Sequence, residues 1–347
     1  MIRIAINGFG RIGRHAFKVA FEKRGMEVIA INDLTDNHTL AHLLKHDTAY
    51  PEYKHAVSFD SKHIIVNKKK IIAISERDPS KLPWKKLKID VVIEATGFFR
   101  DKEKAGMHLK AGAKKVLISA PSKGDDIEGF VRSVNCHTYN GEKIVDNASC
   151  TTNCTAPVVQ ILEQTFGIEK AMLTTIHSYT ADQNLQDGPH KDLRRARAAA
   201  QNMVPTTTGA AEATAKIIPS LKNKFDGIAV RVPTISVSLT DFCFLLKKEV
   251  TVDQINKAFI KAAKGSHKGV LAVTDEPLVS SDFIGNPHSS TVDLELTKVV
   301  GGNLVKVVSW YDNEWGYANR LVEMVEIMGG KSSVQSLPLS SVVGGGH

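Results

Sequence analysis

The chain has 347 residues, 42% of them hydrophobic and 24% charged, and carries a net charge of +8. That length is enough for two cores, the composition is that of a globular chain, and no apolar run is long enough to cross a bilayer, so no membrane partner is expected. Four cysteines, two of them four residues apart, do not suggest a disulfide framework, and neither a CxxC pair nor a zinc set is present; no metal is expected, and the expected compartment is the reducing cytoplasm. The basic balance gathers in residues 68–70, 81–88 and 194–197. It implies anionic ligands, phosphates most simply; without arginine-aromatic interleaving, nucleic acid stays a weak secondary partner.

Residues 3–7 read as a buried strand running into Asn7-Gly8-Phe9-Gly10-Arg11-Ile12-Gly13. A helical pattern follows (Ile12, Ala16, Val19, Ala20), then a second apolar strand over 28–31 that ends at Asn32-Asp33. Strand, glycines, helix, second strand and an acid about twenty residues on form a dinucleotide fingerprint. Gly8 makes the tight turn, Gly10 lets the backbone approach a pyrophosphate, and Gly13 lets helix pack on strand. Arg11 and Ile12 offer N–H groups to the diphosphate at the helix N-terminus. Asp33 suits a ribose diol and repels a 2′-phosphate, so the expected cofactor is NAD. Further strands are predicted over 64–66, 71–74, 91–93 and 115–119, with a crossover helix over 102–110. Ligands of parallel sheets sit at the carboxyl ends of strands, which makes Thr96, Gly97 and Ser119 cofactor-side candidates. For Ser119 an ordinary turn before Pro121 competes.

Ser149 is a good helix N-cap ahead of the apolar pattern Val158, Ile161, Leu162, Phe166, and it leaves Cys150 in the first turn. The partial positive charge there favours thiolate and predicts a lowered thiol pKa. Pro157 predicts either a kink or a late start to the regular helix. The second half reads as a strand over 171–178, a polar segment over 179–203, a helix opened by Thr208-Gly209, and a β-rich run over 228–248. A helix over 252–264 follows, then strands 292–300 and 304–311 joined at Gly301-Gly302-Asn303, and a closing helix over 314–328. The expected fold is α/β: a Rossmann-type NAD-binding domain plus an α+β catalytic domain with a mainly antiparallel sheet.

Seven distant segments carry a further signal: INGFGRIGR from position 6, ASCTTNC from 148, TTIHSYT from 174, HKDLRRARAA from 190, PTTTGAA from 205, RVPT from 231 and WYDNEWGY from 310. In order, wording and spacing they closely resemble the bacterial-type phosphorylating glyceraldehyde-3-phosphate dehydrogenases, over nearly the whole chain. The resemblance implies oxidation of glyceraldehyde 3-phosphate with inorganic phosphate and NAD, through a thioester on Cys150, with His177 as base. It places the substrate phosphate on Thr180 and Arg231. The attacking phosphate falls to Ser149, Thr151, Thr208, Gly209 and Arg195. Asn313 would hold the nicotinamide carboxamide, and Arg77 would flank the adenine, where a solvated loop arginine competes. Cys154 matches a family residue without a clear role. The resemblance also implies a homotetramer in which the 179–203 segment reaches a neighbour's cofactor site. It divides the chain into an NAD-binding domain (1–149 and 313–331), a catalytic domain (150–312) and a disordered tail (332–347). Gly188 stands where many NAD-preferring members carry Leu, and it leaves room near the adenine ribose. Residues 50–53 and 81–88 have no functional reading. Erythrose-4-phosphate dehydrogenase is the alternative, with water in place of phosphate; the intact PTTTGAA segment argues against it.

Overall fold

The computed structural model describes residues 1–330, so the expected tail at 332–347 lies outside the described residues. The first half builds a nine-stranded sheet from β1 (Ile2–Asn7), β2 (Met26–Asn32), β3 (Val57–Phe59), β4 (His63–Val66), β5 (Lys69–Ile74), β6 (Val91–Glu94), β7 (Lys115–Ile118), β8 (Glu128–Gly129) and β9 (Ile144–Asp146). Its order is β3-β4-β5-β2-β1-β6-β7-β9-β8, and β1 pairs parallel with both β2 and β6. Central strand β1 has both faces covered, and Ile4, Ala5 and Ile6 are fully buried, as a parallel sheet between helices requires. The helices of this half are α1 (Arg11–Glu22), α2 (Asn37–Lys45), α3 (Trp84–Leu87) and α4 (Lys102–Lys110). Residues 69–74 form one strand of a hairpin with β4, yet β5 also pairs parallel with β2, so the hairpin extends the sheet.

Two glycines set the first turn. Gly8 sits at φ +91°, where an L side chain is strained. A Cβ at Gly13 would stand 2.1 Å from the Gly8 carbonyl oxygen, so α1 can lie on the turn only because position 13 has no side chain. A Cβ at Gly10 would meet nothing within 4 Å and point into open space.

Helix α5 (Cys150–Phe166) leads into the second half. Ser149 caps it, its Oγ accepting from the Thr152 N–H at 3.0 Å. This settles the Pro157 question: the proline lies inside a helix that is regular from Cys150. The cap secures the first turn, and the proline removes the N–H that would donate to the Asn153 carbonyl. The second sheet comprises β10 (Ile168–Ser178), β11 (Val204–Thr207), β12 (Phe225–Val232), β13 (Ser238–Leu246), β14 (Leu271–Thr274), β15 (Ser290–Val300) and β16 (Leu304–Tyr311), in the order β11-β12-β10-β13-β16-β15-β14. Its pairings are antiparallel except β10 with β12 and β14 with β15. Helix α6 (Ala210–Ile217) follows β11, and α7 (Val252–Lys264) packs with α5 over this sheet, burying Ile255 and Phe259. The last helix, α8 (Trp315–Met328), returns to the first sheet, where Leu321, Val322 and Val325 share a core with Ile2, Ile4 and Phe17. Among the described residues no helix is long and apolar enough to cross a membrane.

Replacing Gly13 with alanine is expected to lower stability by about 1–3 kcal/mol, the usual cost of overpacking a tight contact. Urea unfolding reads it, and an unchanged midpoint would contradict the close approach of α1 to the glycine turn.

Candidate active site

A cleft of about 550 Å³ opens at the carboxyl ends of β1, β2 and β6. Gly8, Gly10, Asp33, Arg77 and Thr96 line it. Arg11, Ile12 and Gly13 form the first turn of α1 beside it, where N–H groups have no intrahelical partner. Asp33 is fixed from two sides: Oδ2 accepts from the Phe9 N–H at 2.8 Å, and Oδ1 from the Thr35 N–H at 3.0 Å. The acid is thus tied to the glycine turn itself. Arg77 is exposed, and Gly97 follows Thr96 at φ +76°. Ser119 is not brought into this wall; it follows β7, with its N–H on the Glu94 carbonyl at 2.9 Å. Gly188 is not in the wall either, and a Cβ there would press on the Asn184 amide at 3.2 Å.

The thiol and the imidazole meet from different elements. Cys150 opens α5, while His177 is the penultimate residue of β10, buried. Their Sγ and Nε2 atoms are 3.5 Å apart. Parallel pairing of β10 with β12 sets His177 directly beside Arg231. His177 Nδ1 lies 2.7 Å from the Ser178 carbonyl oxygen and 3.1 Å from Arg231 Nη1. A guanidinium only donates, and so does a protonated Nδ1; the shorter contact, to a carbonyl, assigns the proton to Nδ1. Nε2 then carries its lone pair toward the sulfur. The Arg231 Nη1 donates instead to the Ser178 carbonyl at 3.2 Å and to Thr180 Oγ1 at 3.4 Å.

The Arg231 Nε is buried without a partner, and among the described residues no carboxylate lies within ion-pair distance of this arginine. A half-buried guanidinium left this way is set up for an anion. Arg195 differs. It donates to Asp182, to Thr206 Oγ1 at 2.9 Å and to the Thr207 carbonyl at 3.2 Å. Arg197 is paired with Asp187 at 2.8 Å on the surface. Ser149 Oγ is engaged by Thr152, and Thr151 Oγ1 meets the Tyr311 hydroxyl at 2.9 Å. Gly209 precedes α6, and the Thr208 hydroxyl accepts from the Ala210 N–H at 3.2 Å. Asn313 is buried beside β10, its Oδ1 accepting from Ser178 Oγ at 3.0 Å and Ser238 Oγ at 3.1 Å. That orients its amide N–H₂ away from both serines.

Comparison with known proteins adds an independent finding. Residues 2–102 match the glyceraldehyde 3-phosphate dehydrogenase NAD binding domain, and residues 149–313 match the C-terminal domain of the same family. The glyceraldehyde-3-phosphate dehydrogenase of Geobacillus stearothermophilus is 51% identical over 332 residues, covering 95% of this chain and 99% of the relative. The Bacillus cereus glyceraldehyde-3-phosphate dehydrogenase 1 is 53% identical over 333 residues, with 95% and 99% covered. The Mycobacterium avium enzyme of the same name is 53% identical over 336 residues, with 94% and 98% covered. The chain belongs to the glyceraldehyde-3-phosphate dehydrogenase family.

In this glyceraldehyde-3-phosphate dehydrogenase family member the helix N-terminus does not by itself lower the thiol pKa. Burial pushes Cys150 up, opposed by the Arg231 charge and by hydrogen bonds from Thr151. Burial and Arg231 together push His177 down to about 3. Neither group ionises readily alone. The contact leaves the Nε2 lone pair as the acceptor within reach of the thiol proton. Cys154 is buried deeper, its sulfur near Ser290 Oγ at 3.7 Å and Thr240 Oγ1 at 3.9 Å, and burial pushes it up to about 12.

Sequence reading missed the ionic joint behind the glycine turn. The Arg11 side chain donates to Glu314 and to Asp47, the latter at 2.8 Å, and holds the Glu314 carboxyl at about 2 against its burial. Tyr50, in a segment without a reading, donates to buried Asp312 at 2.8 Å. No local spacing could have linked either pair across the chain.

Exchange of His177 for asparagine is expected to slow alkylation of Cys150 by iodoacetamide about tenfold or more at pH 7. The sulfur must then ionise against burial without an acceptor, so the rise of rate with pH moves to higher pH. A profile identical to the parent's would remove the imidazole from the ionisation.

Proposed function

We propose that this chain oxidises glyceraldehyde 3-phosphate to an acyl phosphate, using inorganic phosphate and NAD. The observation that carries this is the 3.5 Å contact of Cys150 Sγ with His177 Nε2 beside an arginine that lacks a carboxylate. The relatives reported above bear glyceraldehyde-3-phosphate dehydrogenase names, which favours this substrate over erythrose 4-phosphate.

The residues present suit NAD: the Gly10 Cβ position is open, Asp33 faces the cleft, and α1 presents free N–H groups. When bound, that cofactor supplies the hydride acceptor. Gly8, Gly10, Arg11, Ile12 and Gly13 hold its diphosphate, Asp33 its ribose, and Arg77, Thr96 and Gly97 flank it, with Ser119 behind them, outside the wall. The Asn313 amide N–H₂ donates to the nicotinamide carboxamide oxygen. In the reaction, the Cys150 thiolate attacks the aldehyde carbon, and the Cys150 N–H and His177 steady the oxyanion. His177 passes the proton it took from Sγ to that oxyanion, giving a hydroxyl, and its Nε2 takes the proton back as the carbon–hydrogen bond gives up its hydride. The thioester left on Cys150 is attacked by phosphate, and the thiolate departs. Thr180 and Arg231 bind the substrate phosphate. Ser149, Thr151, Thr208, Gly209 and Arg195 bind the attacking one, which requires Arg195 to loosen from Asp182. We further propose the domain division at 149/150 and 312/313, a homotetrameric assembly and a cytoplasmic location.

NADH formation from glyceraldehyde 3-phosphate is expected to require phosphate, to exceed that from erythrose 4-phosphate, and to vanish in Cys150→Ala while NAD binding persists. Phosphate-independent turnover, or full activity without the thiol, overturns the reading. Arg231→Leu is expected to raise the KM for glyceraldehyde 3-phosphate about 10–100-fold, the worth of a charge-assisted contact, and to spare the Kd for NAD. An unchanged KM would move the substrate phosphate elsewhere.

A further inference from the structure

Beneath the cofactor cleft lies a buried polar ladder that the reaction does not use. Strand β6 ends at Glu94, which is 1% exposed. Its Oε1 accepts from the Thr96 N–H at 2.8 Å and from the Thr96 hydroxyl. Its Oε2 accepts from Asn7 Nδ2 at 2.6 Å and from His108 Nε2 at 2.9 Å. Trp84 Nε1 donates to His108 Nδ1 at 3.0 Å, so Nδ1 is an acceptor and the ring proton sits on Nε2, facing Glu94. Four donors therefore converge on one acceptor-only carboxylate.

The ladder continues across neighbouring strand ends. Asn7 Oδ1 accepts from Asn32 Nδ2 at 2.7 Å, and Asn32 exchanges two bonds of 2.9 Å with the Glu76 backbone. It thus ties the carboxyl ends of β6, β1 and β2 to the segment after β5, in the order these strands adopt in the sheet. Asn7, Asn32, Glu76 and Thr96 line the cleft; Glu94, His108 and Trp84 do not. Thr96 also steers the loop beyond it, because its hydroxyl accepts from the Phe98 N–H at 3.1 Å. The loop abuts the glycine turn: a Cβ at Gly8 would stand 2.7 Å from the Thr96 nitrogen.

We infer that Glu94 is a positioning residue for dinucleotide binding, holding the Gly8 turn and the Thr96 turn at a fixed separation through Asn7 and Thr96. It never touches the cofactor and acts through the two loops that do. The inference rests on the reading of this cleft as the NAD site. Glutamine in its place is nearly isosteric, yet its N–H₂ must face donors on whichever side it turns. On the Oε2 side Asn7 is pinned by Asn32, and His108 is pinned by Trp84. The N–H₂ therefore turns toward Thr96, where the hydroxyl can rotate and the peptide N–H cannot, and the Thr96 turn shifts.

The test measures the NAD dissociation constant, kcat at saturating NAD, Cys150 alkylation and thermal midpoint for Glu94→Gln and the parent. The expected result is a Kd for NAD raised about tenfold, kcat within about twofold, and an unchanged alkylation rate. A lower midpoint with an unchanged Kd reduces Glu94 to a structural role and overturns the inference. If Glu94→Gln does not fold, His108→Leu, outside the cleft wall, keeps the carboxylate and three of its donors, and is expected to raise the Kd about threefold. An unchanged Kd there overturns the inference equally. A parent chain that binds no NAD would fail the cleft reading first, and this inference with it.

Discussion

One contact between two independently built elements governs the site: the sulfur at the head of α5 and the imidazole at the end of β10. Neither element places the contact alone. The cap at Ser149 sets where α5 begins, and hence where the sulfur lies. The parallel register of β10 and β12 sets which side chain stands next to the imidazole. That neighbour is an arginine, and its charge works in two directions at once. It makes a protonated ring costly and a thiolate cheaper. The ring is thereby kept neutral, with its Nε2 lone pair open toward the sulfur.

Cations recur around this centre in different states of compensation. Arg11 is saturated by Glu314 and Asp47 and serves as a rivet between α1 and the start of α8. Arg195 is saturated by Asp182 and its neighbours. Arg231 is not. The degree of compensation separates Arg11, which holds two helices together, from Arg231, left with unspent donors, and composition alone cannot make that distinction.

Much of the architecture was legible because its causes are local. The glycine turn, the crossover helix over 102–110, helix 252–264 and the hairpin at 301–303 each follow from periodicity or turn chemistry within a dozen residues. The Cys150 cap was legible for the same reason. Its thiol pKa was not, because burial outweighs the helix terminus and burial is decided by distant segments. The Rossmann-type glycines can be read one by one, but Ser119 lies outside the cleft wall although its strand ends on the correct edge. Tyr50 with Asp312, Arg11 with Glu314, and Glu94 with Asn7 and His108 are partnerships of the folded chain. A single sequence shows their members only as unexplained polar residues.

The return of α8 to the first sheet has a consequence for biosynthesis. The opening strand, β1, becomes the middle of its sheet, and the wall packed against it comes from the far end of the described chain. A ribosome that has released everything up to residue 311 holds a second sheet with all its strands and a first sheet with a bare apolar flank. The order of translation is thus the reverse of the order of completion: the half made first is the last to close, and until then Ile2, Ile4 and Phe17 stand open to any sticky surface nearby.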